Sequence, residues 1–236
     1  MEMRIGMLLF PQLTQLDLTG PYEVLARISD AQVLLLWKTR EAVVSDRGMS
    51  LLPTSTLDDC PQLDVVFVPG GPGQNALMED EEVLGFLRKQ AEKALYVTSV
   101  CTGSLVLAAA GLLNRYRAAC HWMSRDLLSD LGVEVSPNRY VIDGNRVTGG
   151  GITAGIDFGL RLAALLRGEE EAKRIQLLLE YDPAPPFDAG SPESAGAEIE
   201  NAVRRQAARL QAERKNVIAR IRSSCTLNPN SSDGPG

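Results

Sequence analysis

The run Tyr96-Val97-Thr98-Ser99-Val100-Cys101-Thr102-Gly103-Ser104 decides how the chain is read. Its first five residues are strand formers, and Leu105–Leu113, apolar as far as polar Asn114, follows as a buried helix. Between them the small residues Ser99 and Gly103 permit a tight corner, and Cys101 stands where strand turns into helix. Upstream, Asp64–Val68 is a second buried strand running into Pro69-Gly70-Gly71-Pro72-Gly73, and Val83, Leu84 and Leu87 mark a helix over Glu81–Lys93. Arg4–Phe10 is a first strand ended by Pro11. Gly20-Pro21 opens a helix through Ile28, because a first helical turn tolerates the missing N–H of proline. Val33–Trp37 is another strand, and Val43–Leu52 reads as short strands joined at Gly48. Downstream come a short strand in Arg117–Trp122, a helix near Ser124–Leu131, a hairpin over Tyr140–Thr148 about Asp143-Gly144, and a helix from Thr153 to Leu166. Such alternation predicts an α/β fold with a mainly parallel central sheet covered on both faces. Sites on these sheets gather at the carboxyl ends of strands, where Gly70-Gly71, Cys101 and Gly149-Gly150-Gly151 fall.

With 236 residues and 44% hydrophobic composition, the chain can bury a full core without a disulfide or metal staple. The net charge of -6 argues against a nucleic-acid binder, since phosphate contacts need clustered Lys and Arg. No apolar run approaches the ~20 residues that span a bilayer. Met1–Pro11 reads as a strand rather than a signal peptide, so a cytoplasmic location is expected, with neither membrane nor nucleic acid as partner. Cys60, Cys101, Cys120 and Cys225 form no C-x-x-C pair and read as reduced thiols. With His121 the only histidine, no metal site is expected.

Cys101 at a strand–helix corner is the nucleophile candidate, against the alternative of an inert core thiol. The N–H groups of the following helix are expected to favour the thiolate. A pKa lowered from ~8.5 to about 6 would make it roughly 90% thiolate at neutral pH. Beyond Tyr181 the Asp182-Pro183-Ala184-Pro185-Pro186-Phe187 segment is expected to lie extended over the surface. Ala195–Arg222 then resumes a helical pattern, with Ile199, Val203, Leu210, Val217 and Ile221 near one face. Its basic residues, Arg214 among them, read as a solvated face.

Phe10-Pro11, Gln15-Leu16-Asp17-Leu18-Thr19-Gly20-Pro21, Val68-Pro69-Gly70-Gly71, the Cys101 run, His121-Trp122, Val147–Phe158 and Leu179–Phe187 together resemble the ThiJ/PfpI superfamily. The Pro-rich Tyr181–Phe187 stretch points within it to the branch that hydrates isocyanides. The resemblance implies a flavodoxin-like sandwich, a homodimer, no cofactor, and addition of water to an isocyanide to give an N-substituted formamide. It covers roughly Arg4 to Pro192. The expected organisation is therefore a catalytic domain over 1–192, an amphipathic helix over 193–223 packed on the domain or the dimer, and a disordered tail over 224–236.

The resemblance also turns Asp17, otherwise a helix-capping residue, into a general acid/base partner of Cys101. An Asp in a dry pocket can retain its proton, and two groups sharing a hydrogen bond titrate as a pair. Gly71 and Thr102 are expected to line the substrate pocket with their N–H groups, Gly150 to allow close approach of chain segments, and Ile152 to form an apolar wall near Cys101. His121 is read as a core histidine beside Trp122 rather than a base, and any polar role of Cys120 is in doubt. A ligand-sensing module and a redox- or glyoxal-handling enzyme of the same superfamily are the competing readings.

Overall fold

The computed structural model describes residues 2–227. The chain opens with strand β1 (Met3–Leu8), helix α1 (Gln15–Leu25), β2 (Ala31–Trp37), the short strands β3 (Val43–Val44), β4 (Ser50–Leu51) and β5 (Ser55–Thr56), and β6 (Val65–Val68). Helices α2 (Gln74–Leu77) and α3 (Glu81–Ala91) lead to β7 (Tyr96–Val100) and α4 (Gly103–Ala109). There follow β8 (Arg117–Ala118), a 3-10 turn at Trp122–Ser124, α5 (Arg125–Asp130), β9 (Glu134–Val135), and the hairpin of β10 (Tyr140–Asp143) and β11 (Arg146–Gly149). Helices α6 (Ala154–Arg167), α7 (Glu169–Leu178), α8 (Pro192–Ala195) and α9 (Ala197–Leu227) complete the described part.

Seven strands form one sheet in the order β10-β11-β7-β6-β1-β2-β5, parallel throughout except for the β10–β11 hairpin. This is the flavodoxin-like sandwich expected from the sequence. Val65–Val68 is buried along its whole length because both faces of the sheet are covered, which is why the central strands carry continuous apolar runs. Helix α1 packs on α6, and α6 on α7; α4 is flanked by α2, α3 and α5, and α9 lies against α2 and α5. The chain leaves β1 for β2 on one side and returns through β6 on the other. The strand order therefore reverses next to β1, where an open sheet leaves a crevice for a ligand.

Two local expectations are corrected, and one helix is added. The first helix starts at Gln15, not at Gly20, and Pro21 lies inside it. Proline lacks only the N–H that would reach the carbonyl of Asp17, and its ring fills the space above Gly155 of α6, where an added Cβ would sit 2.9 Å from Pro21 Cδ. The strand foreseen over Arg117–Trp122 is confined to Arg117–Ala118, and Trp122 begins the 3-10 turn. Helix α7, opened by Glu169, Glu170 and Glu171 after Gly168, went unnoticed in the sequence.

Helix α9 runs on to Leu227, four residues into the stretch expected as a tail; residues 228–236 lie outside the described residues. Its apolar residues do not act as one face: Val217 and Ile218 are buried, while Ile199 is 51% exposed. Nor is its basic side simply solvated. Arg220 forks onto both carboxylate oxygens of Glu79 at 2.8 and 2.7 Å, Arg204 stacks over Trp122 at 4.6 Å, and Arg214 is buried. Among the described residues no helix is long and apolar enough to cross a membrane.

Candidate active site

Cys101 sits at the end of β7 with φ of 57°, in the left-handed region that a residue with a Cβ enters only under constraint. The constraint is visible on both sides. Its N–H donates to the carbonyls of Gly149 at 3.1 Å and Gly150 at 2.8 Å, and its carbonyl accepts the N–H of His121 at 3.3 Å. Below the corner the hydroxyls of Ser99 and Ser104 lie 2.9 Å apart, and Ser104 donates to the carbonyl of Ala119 at 2.7 Å. The thiol is thus held above the sheet by β11 and by the segment after β8.

Asp17 enters from the first turn of α1 and is fully buried. Gly70, just past β6, makes the meeting possible. A Cβ built there would lie 2.6 Å from Thr102 N, 2.8 Å from Thr102 Oγ1 and 2.9 Å from Asp17 Oδ2. Three polar groups therefore converge over one α-carbon, and a side chain at position 70 would push them apart. Neither oxygen of Asp17 has a hydrogen bond of ordinary geometry. Its polar neighbours are the Cys101 thiol and the Gly70 N–H.

Burial pushes the Asp17 carboxyl from its ordinary 3.8 up to about 7, although the Cys101 thiol and the Gly70 N–H pull the other way; the charge of Asp46 adds to the rise. Cys101 moves in the direction opposite to the expectation. Burial raises it well above the ordinary thiol value, followed by the charges of Asp17 and Cys120 and by its contact with the Asp17 carboxyl, while the Thr102 N–H and the charge of Arg214 favour the thiolate. A helix terminus contributes roughly 0.3–1 kcal/mol, and full burial beside a carboxylate outweighs it. Above about pH 7 Asp17 is consequently a carboxylate beside a protonated Cys101 thiol, and the two groups titrate as a coupled pair.

The remaining predicted residues divide. Thr102 is at the site, but its hydroxyl accepts the Gly71 N–H at 3.1 Å, so Gly71 spends its donor on Thr102 instead of presenting it to a ligand. Gly150 gives its N–H to the carbonyl of Arg139 at 2.8 Å and its own carbonyl to Cys101, which makes it a support of the corner. Ile152 is 36% exposed. Together with His121, Trp122, Gly150 and Gly151 it lines a neighbouring cavity of about 540 Å³ whose walls do not include Cys101. His121 packs beside Trp122 with ring centroids 5.9 Å apart and accepts the Met123 N–H on Nδ1 at 3.3 Å. Burial, then the charges of Arg214 and Arg125, push it down to about 4, so it is neutral at physiological pH. Cys120 is buried, with its thiol pushed up to about 12 chiefly by burial. No group of three or more His, Cys, Asp or Glu converges as a metal site among the described residues. Sequence reasoning passed over Gly70 as a turn and Arg214 as surface; no local signal separates either from its neighbours.

A profile of the DJ-1/PfpI family matches residues 3–165. The isonitrile hydratase of Pseudomonas putida is 58% identical over 208 residues, covering 88% of this chain and 91% of that protein. The HTH-type transcriptional regulator GbdR of Pseudomonas aeruginosa is 33% identical over 187 residues, 75% of this chain but 50% of the regulator. Among solved structures, a ThiJ/PfpI family protein from Pseudomonas syringae superposes with a TM-score of 0.90 at 41% identity, covering 92% of this chain and 91% of that one.

Proposed function

We propose that this chain, which belongs to the DJ-1/PfpI family, is an isocyanide hydratase, a hydro-lyase that turns an isocyanide and water into an N-substituted formamide. The observation that carries the reading is the buried, adjacent Asp17–Cys101 pair, found in a chain 58% identical to a curated isonitrile hydratase. The terminal carbon of an isocyanide must accept both a nucleophile and a proton, and the pair supplies both. Asp17 as carboxylate takes the thiol proton while sulfur bonds to the carbon, then delivers that proton to the same carbon, leaving a thioimidate on Cys101. Water adds to this carbon next. One of its protons goes through Asp17 to nitrogen, and the other returns to sulfur as the carbon–sulfur bond breaks. The thiol hydrogen ends on carbon, the two water hydrogens on nitrogen and sulfur, and the formamide leaves. Thr102 N–H, a backbone donor to the thiol, steadies the charge that builds on sulfur.

The homodimer and a cytoplasmic location belong to the same reading. Cys60, Cys101 and Cys120 are all free thiols, and Leu177, Leu178 and Phe187 are strongly exposed apolar side chains that a second copy would cover. Light scattering is expected to return twice 25.6 kDa. The deciding experiment mixes the purified protein with a small alkyl or aryl isocyanide and follows formamide. Its absence, or faster turnover of methylglyoxal, overturns the assignment.

A further inference from the structure

Arg214 lies on α9, outside the 3–165 segment that the family profile matches. It is 4% exposed, a placement an arginine seldom takes without a carboxylate partner. Among the described residues no carboxylate pairs with it. Nη1 donates to Ser124 Oγ at 3.2 Å, a hydroxyl that Gln211 also reaches at 3.4 Å, and Nε has no acceptor. Ser124 in turn gives its N–H to the carbonyl of His121 at 2.8 Å, and the His121 N–H holds the carbonyl of Cys101 at 3.3 Å. A buried guanidinium is thus tied by a three-step relay to the backbone of the nucleophile. An unpaired cation in an interior is strongly unfavourable unless an anion shares that interior. The anion at hand is the Asp17–Cys101 pair, which carries one negative charge when it holds a single proton.

We infer that Arg214 is a positioning residue of the reaction: through Ser124 and His121 it fixes the corner bearing Cys101, and its charge balances that of the Asp17–Cys101 pair across the interior. This rests on the hydratase reading only for the catalytic consequence. The charged and titratable groups acting on the pair are Asp46 from the β3–β4 turn, Cys120 from the segment after β8, and Arg214, whereas Arg125 of α5 acts on Cys120 and His121. Asp46 opposes ionisation of the pair; Arg125 is half-buried and engaged with the Pro137 carbonyl at 3.0 Å. Arg214 is therefore the deeply buried cation of the set.

The test compares Arg214→Met and Arg214→Lys in the full chain. Methionine fills the same volume without charge, and removing an unpaired buried charge leaves folding intact. Three midpoints are followed against pH: the acid limb of kcat/KM, the rate of Cys101 alkylation by iodoacetamide read by intact mass, and the ring signals of the single histidine by NMR. In Arg214→Met the first two are expected to rise by roughly half to one pH unit, a three- to tenfold loss at fixed pH on that limb. The His121 midpoint rises as well, and Arg214→Lys stays near the parent. Unchanged alkylation and histidine midpoints in Arg214→Met, or lysine behaving like methionine, overturn the inference. Because those two readouts need no isocyanide, a protein that fails to hydrate isocyanides but shows both shifts overturns the hydratase reading alone.

Discussion

Asp17→Asn separates the demands of folding from those of chemistry. In the folded chain the Asp17 carboxyl keeps its proton up to about pH 7, whereas in the unfolded chain it releases it near 3.8. The native state therefore binds the extra proton between these values, and its stability falls as pH rises through them. A span of about three pH units at about 1.4 kcal/mol each sets an upper bound of about 4 kcal/mol above pH 7. Asparagine keeps the shape and cannot ionise. The variant is expected to be more stable than the parent at pH 8, by up to about 4 kcal/mol or roughly 8–16 °C in Tm for a domain of this size, and equal to it near pH 4. His121 acts with the opposite sign: its ring is held at about 4 against an ordinary 6.5, so its contribution is lost as pH falls through that window. It is the same in both proteins and cancels in the difference. Calorimetric scans of both at pH 4.5, 6 and 8 measure this. A Tm difference that stays constant, or shrinks as pH rises, refutes the argument that burial of an ionising Asp17 sets the pair's chemistry. The same substitution is expected to abolish most isocyanide turnover, the trade between stability and function that a buried catalytic acid implies.

Cys101→Ser should lower turnover by at least about 10³-fold while leaving the fold intact, and full activity would remove the thiol from the mechanism. Because Asp17 must start as carboxylate, kcat/KM is expected to fall about tenfold per pH unit below about 7; a flat profile down to pH 5 would assign the base elsewhere. Gly70→Ala places a Cβ within 2.9 Å of Asp17 Oδ2 and 2.6 Å of Thr102 N, and the resulting displacement should cost about 10²-fold in rate. Parent-like kinetics would show that the three groups need not converge. Thr102→Val strands the buried Gly71 N–H and is expected to cost about 1–3 kcal/mol in denaturant titrations, with Thr102→Ser restoring most of it; equal stability of both would mean that hydrogen bond is dispensable.

The division between what the chain's order of residues fixed and what folding added runs through the site itself. The α/β class, the parallel strands and the corner at Cys101 were legible because each rests on neighbours a few residues apart: apolar runs, small residues at a turn, an Asp-Gly hairpin. The first helix was misjudged at its start because Pro21 looks like a boundary until Gly155, on another helix, makes room for its ring. The electrostatics were not legible at all. A helix beginning at Gly103 predicts an acidified thiol, yet burial and the charges of Asp17 and Cys120, 84 and 19 residues away along the chain, raise it instead. Sequence alone singled out Cys101 and Asp17 as the candidate reacting groups. Only the tertiary structure decided their protonation, because desolvation and charge act through space, across contacts that no local pattern encodes.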